Sequence, residues 1–110
     1  MSCHLGFLGE TKLVAAKHSL ATAIRTVRKA RGLSQEAFSD VSSRTYMSSL
    51  ERDLKSPTMH KLTELCKVMD VHPLTLLTLA YAGDDMDKVR RVLKQIEQEL
   101  LSIKQRDVHG

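Results

Sequence analysis

Aromatic residues are scarce in this chain: there is no tryptophan, and only two phenylalanines and two tyrosines occur among 110 residues. No alternating apolar run bounded by turn residues is present, so a β-sheet core is not expected. No run of roughly twenty apolar residues occurs, so a membrane span is not expected. The N-terminus lacks a charged segment leading into a long apolar one, so no secretory signal is expected. The two cysteines, Cys3 and Cys66, could pair, and nothing favours it; reduced thiols and a cytoplasmic location are the expectation. His4, His18, His60, His72 and His109 are scattered, and no Cys/His spacing resembles a zinc site, so no metal is expected. Glycine-rich phosphate loops, nucleophile elbows and paired carboxylates are missing as well. Catalysis is therefore not the expected activity, and neither a cofactor nor a small-molecule ligand is called for.

What remains is a helical pattern with an uneven charge. The length supports one compact domain and an appendage. The formal charge is +4 and the pI about 9.3. Residues 19–82 carry nine Lys and Arg against six Asp and Glu, whereas residues 83–110 balance six against six. The positive excess is compatible with phosphate contact, and equally with a solvated surface.

Apolar residues recur every three or four positions, which argues for helices throughout. Leu13, Ala16, Leu20, Ala23, Ile24, Val27 and Ala30 form one stripe of a first helix beginning at Thr11 or Lys12, or at a Ser19 cap, and ending at Gly32. Ser34 caps a second helix, Gln35 to about Asp40, with Ala37, Phe38 and Val41 inward. Ser42 or Ser43 caps a third, Arg44 to about Arg52, burying Met47 and Leu50; the orientation of Tyr46 is open. Ser56-Pro57 starts a fourth, with proline in the first turn and Met59, Leu62, Leu65, Cys66 and Met69 buried. His72-Pro73 starts a fifth, with Leu74, Leu76, Leu77 and Ala80 apolar, and Gly83 breaks it. Asp84 or Asp85 caps a sixth, where acids favour the positive end of the helix dipole. Cys66 lies on an apolar face and is read as a small core residue.

The ordered set RKARG (28–32), LSQEAF (33–38), SRTYMSSLER (43–52) and SPTMHKLTELCKVMDV (56–71) resembles the lambda-repressor-like, or XRE-type, helix-turn-helix family over residues 19–82. The resemblance implies an all-α fold: a five-helix DNA-binding domain with an additional C-terminal helix. It also implies roles. Ser43, Arg44, Thr45 and Ser49 would face the major groove of double-stranded DNA, with Arg44 on a guanine and Thr45 on a thymine methyl. Arg52 and Lys55 would meet phosphates, which position the module without reading sequence. Gln35 would contact the DNA backbone or brace the recognition helix. Arg28 and Glu51 would form an internal ion pair. Two departures stand out. Gln35 and Ser43 are only eight apart, about two residues fewer than the family usually has, and Asp53 replaces the glycine or asparagine that often follows the recognition helix.

Met86, Val89, Leu93, Ile96, Leu100 and Ile103 are spaced 3, 4, 3, 4 and 3, an a/d seam about two and a half heptads long. The seam either pairs with a second copy, parallel or antiparallel, or folds back on the first and fifth helices. Dimerisation is the preferred reading, because two linked modules address two half-sites at high effective concentration. Residues 1–18 then form an N-terminal arm or an extension of the first helix, 19–82 the DNA-binding domain and 83–110 a dimerisation helix. The expected protein is a dimeric transcriptional regulator, most simply a repressor on a short inverted repeat, with restriction-modification controllers and antitoxins as variants. The alternative is a protein-interaction module of the same fold, such as an antitoxin holding a protein partner.

Overall fold

The computed structural model describes residues 20–109, with side chains to Gln105. Helices are the only regular elements among these residues. They run as α1 (20–30), a 3-10 turn (Gln35–Phe38), α2 (Arg44–Glu51), α3 (Met59–Met69), α4 (Pro73–Ala82) and α5 (Met86–His109). Leu13 and Ala16, like the whole arm 1–18, lie outside the described residues.

Each element ends where its residues require it. Ala21, Ala23, Ile24 and Val27 are the buried face of α1, while Ala30 points to solvent. At its C-terminus the Leu33 amide donates to the Arg28 carbonyl and the Gly32 amide to that of Lys29, both at 3.0 Å, with Gly32 left-handed at φ 69°. That closure requires a left-handed residue, which glycine supplies without steric cost.

The expected second helix is a single 3-10 turn. The seven residues between Gln35 and Ser43 leave too little chain for an α-helix and a connection to α2. Ser34 is extended but makes no side-chain cap, and Ala37 is exposed; Phe38 alone of this turn is fully buried. Ser43 caps α2, its Oγ accepting from the Tyr46 amide at 3.0 Å.

The start of α3 also differs from expectation. Thr58 is the cap, its Oγ1 accepting from the Lys61 amide at 3.1 Å, so Pro57 precedes the helix instead of occupying its first turn. Met59, now the first helical residue, is exposed. His72 caps α4 through Nδ1, which accepts from the Leu74 amide at 3.0 Å, and Pro73 follows. Leu74 sits on the outer face of that turn and is exposed. Asp85 caps α5, its Oδ1 accepting from the amides of Asp87 and Lys88 at 3.0 and 3.3 Å.

The core lies between α1, the 3-10 turn, α2, α3 and α4, around Ile24, Phe38, Met47, Leu50, Leu65, Cys66, Met69 and Leu76. Burial pushes the Cys66 thiol above its ordinary pKa. Helix α5 packs chiefly on α4 and leaves this core: only Val89 and Val92 are half-buried, and every residue from Leu93 to Gln105 is exposed. Among the described residues, nothing covers the seam from Leu93 onward.

Candidate nucleic-acid interface

The end of α2 is fastened from inside. Arg28 Nε donates to Glu51 Oε2 at 2.5 Å and Nη2 to Oε1 at 2.8 Å, a two-bond fork. The side chains are 11 % and 4 % exposed. Arg28 Nη1 also donates to the Leu33 carbonyl at 2.8 Å, and Gln35 Nε2 to Glu51 Oε1 at 3.3 Å. The hydrogen bond and charge of Glu51 raise the Arg28 pKa against the opposing effect of burial. One carboxylate therefore ties α1, the 3-10 turn and α2 together. Of the two roles open to Gln35, its amide is placed for bracing.

This fastening sets which side of α2 faces out. Met47, Leu50, Ser49 and Glu51 point inward, and Ser43, Arg44 and Thr45 point to solvent at the N-terminal end. Ser49, 8 % exposed, is turned to the protein interior and is not presented beside Arg44 and Thr45 as expected. By register it shares the face of Thr45, one turn earlier, so its burial comes from what the fold lays over that face.

The Arg44 guanidinium is 72 % exposed, and its Nη1 donates to Glu36 Oε1 at 3.3 Å. Arg52 is exposed and its Nε donates to the Ser48 carbonyl at 3.4 Å. The Lys55 ammonium lies 5.6 Å from the centroid of the half-buried Tyr46 ring, with that of Lys61 at 5.8 Å, both within cation–π range. Lys61 also donates to the Val41 carbonyl. Tyr46 is thus a platform for the loop that carries Lys55, a role its sequence position left open. The Glu36–Arg44 contact was likewise not anticipated; the only sign of it in the sequence was the short spacing between Gln35 and Ser43.

Not all of the basic excess is on display. Arg31, beside Arg28, donates from Nε to the Met69 carbonyl at 3.0 Å and from Nη2 to that of Asp70 at 3.1 Å, closing the end of α3. The RKARG segment thus spends two cations on the fold. Among the described residues no helix is long and apolar enough to cross a membrane, and no group of three His, Cys, Asp or Glu could hold a metal ion.

Taken together, the exposed atoms at this end of α2 are hydrogen-bond donors and acceptors of short polar side chains around one guanidinium, with Arg52 and Lys55 at the other end. Such a set can read base edges and neutralise phosphates. A family described as helix-turn-helix matches residues 24–76, a span that begins in α1 and ends within α4. No curated protein and no solved structure matches the chain.

Proposed function

Residues 24–76 belong to the lambda-repressor-like, XRE-type helix-turn-helix family, whose domains bind DNA and serve generally in transcription regulators, and on that premise we propose that this protein is a sequence-specific regulator that occupies a short inverted-repeat operator as a homodimer. The observation that carries the reading is the outward N-terminal end of α2, with Ser43, Arg44 and Thr45 exposed on a helix whose far end is held by the buried Arg28–Glu51 fork. A recognition helix must be rigid relative to its domain if a side chain is to discriminate one base from another. Arg44 is assigned to a guanine and Thr45 to a thymine methyl, with Ser43 beside them; Arg52 and Lys55 are assigned to phosphates.

The dimer rests on α5. Its 24 residues span about 36 Å at the α-helical rise. Among the described residues, nothing covers it from Leu93 to Gln105. A helix in a protein owes most of its stability to packing of its apolar face, yet Met86, Leu93, Ile96, Leu100 and Ile103 are all at least 40 % exposed. With Val89 they form the surface assigned to pairing with a second copy. Two modules joined this way reach half-sites about one helical turn, roughly 34 Å, apart. Occupancy of such an operator blocks transcription most simply, which makes repression the proposed sense.

The same exposed seam also favours a second reading, a module that holds a different protein. Selection of random duplex DNA by the purified protein, sequenced at two salt concentrations, separates the two. The DNA reading predicts a short inverted repeat and affinity that falls steeply with salt as counterions are released. No enrichment, with retention lost on adding salt, leaves only phosphate contact and puts the protein-partner reading first. On the selected site Arg44→Ala is expected to cost about 1–3 kcal/mol and to blur preference at one base pair. Unchanged binding would remove α2 as the reading helix.

A further inference from the structure

The shortened connection between the two halves of the helix-turn-helix has a chemical product. A full second helix is replaced by the 3-10 turn, and that turn brings the carboxylate of Glu36 to the guanidinium of Arg44 eight residues on. We infer that Glu36 is a positioning residue for Arg44: it holds the guanidinium by one edge so that another edge faces the guanine. The inference rests on the assignment of Arg44 as a base-reading residue.

Three observations support it. First, Glu36 stands on a fixed base. Its backbone carbonyl accepts from the Ser39 amide at 3.1 Å, Phe38 two residues on is fully buried, and the adjacent Gln35 is tied to Glu51. The carboxylate therefore projects from an anchored turn. Second, the contact leaves the reading capacity intact. Arg44 uses Nη1 on Glu36, and a guanidinium has five N–H donors in a planar fork, so Nε and Nη2 remain for the O6 and N7 of guanine. Third, the charge needs a reason to be there. Glu36 is 70 % exposed on the side of the domain assigned to DNA, where an acid is repelled by phosphates. Paired with Arg44 its charge is offset locally, and the pair presents a neutral, oriented fork in place of a freely rotating cation. A long flexible side chain loses less freedom on binding when it is already held in its bound direction.

An exposed ion pair with one hydrogen bond adds little to folding stability. Its removal therefore tests position separately from fold. The experiment uses the full chain as wild type, Glu36→Ala, Glu36→Gln and Arg44→Ala, on the selected operator and its single-base variants. The position read by Arg44 is the one at which Arg44→Ala loses its preference. At that position Glu36→Ala should lower the preference for guanine at least about threefold. Glu36→Gln should retain part of it, because its amide oxygen still accepts from Nη1. Preference elsewhere in the operator and the melting temperature should be unchanged in both. In the DNA-free protein, ¹⁵N relaxation at Arg44 Nε–H should show greater mobility in Glu36→Ala. Unchanged preference in both Glu36 variants, tighter operator binding or unchanged Nε–H mobility would each overturn the inference while leaving Arg44 as the reader. Loss of no preference in Arg44→Ala would overturn both.

Discussion

The body formed by α1–α4 and the helix α5 solve the same problem in opposite ways. In the body, the apolar faces of four helices and the 3-10 turn close on one another, and Ile24, Phe38, Met47, Leu65 and Leu76 are almost wholly removed from water. Its helix ends are closed as well, by Ser43, Thr58 and His72 at N-termini and by left-handed residues at C-termini. Helix α5 has an equally regular apolar stripe and a good cap in Asp85, yet from Leu93 onward the stripe faces solvent. An amphipathic pattern states that a face is to be buried; it does not state against what. Among the described residues, the body answers from within its own chain, and α5 beyond Val92 does not.

Four changes sharpen this contrast, beginning with the largest. Glu51→Ala leaves the Arg28 cation and the Gln35 amide facing an emptied site, and should cost the body about 3 kcal/mol. The melting temperature should fall by more than about 10 °C, and an unchanged melt would strip the fork of its structural role. Because the pKa of Arg28 is raised in the fold, the stability it confers is complete below its unfolded value and is lost as pH rises from there through the folded one, far into alkali. The pair should thus be indifferent to pH across the neutral range.

Replacing Leu93 and Ile96 together by Lys should act on α5 alone. Sedimentation should report a monomer, and far-ultraviolet dichroism should lose helix, while the unfolding of the body shifts little. A dimer that survives would put the interface elsewhere.

Asp53 and Asp70 are both left-handed, at φ 60° and 57°, in positions that favour glycine. For Asp53 the informative comparison is between Asp53→Gly and Asp53→Ala, since both lose the carboxylate and only one tolerates the backbone. The glycine variant should be the more stable by about 1 kcal/mol, measured by denaturant midpoint; equal midpoints would mean that the backbone there relaxes without cost.

The smallest effect concerns Cys66. Its raised pKa means that the unfolded thiol ionises first, so stability is complete below about pH 8.5 and declines above it. Cys66→Ala should lower stability at neutral pH but flatten the alkaline decline, and an equally steep decline would assign it to another group.

Much of the body was legible from local signals. Gly32, Ser43, His72-Pro73 and Gly83 are punctuation whose chemistry acts over a few residues, and the three-four spacing of apolar residues identified the faces that bury. Elsewhere the local chemistry is ambiguous. Ser56-Pro57 and Thr58 both resemble helix starts, and the hydrogen bond from the Lys61 amide selects Thr58. Met59 and Leu74 are apolar residues at the first turns of helices, where one side has no neighbour to pack on. The candidate site was legible as a segment and less so as a surface. Arg44 and Thr45 are outward, whereas Ser49, one turn beyond Thr45 on the same face, is buried by the tertiary fold.

Local order in this protein is therefore written in its residues: helix character, most helix ends, the apolar seam of α5 and the polar amino end of α2 follow from side-chain propensities acting over one or two turns. The path of the chain settled everything that depends on distant groups meeting. It joined Arg28 to Glu51 across 23 positions, Arg31 to the carbonyls of Met69 and Asp70, Lys55 and Lys61 to the ring of Tyr46, and Glu36 to Arg44. Such contacts arise from the geometry of packed helices and a turn too short to be one. Pairing of that kind depends on where backbones are placed in space, which no pattern of neighbouring residues specifies.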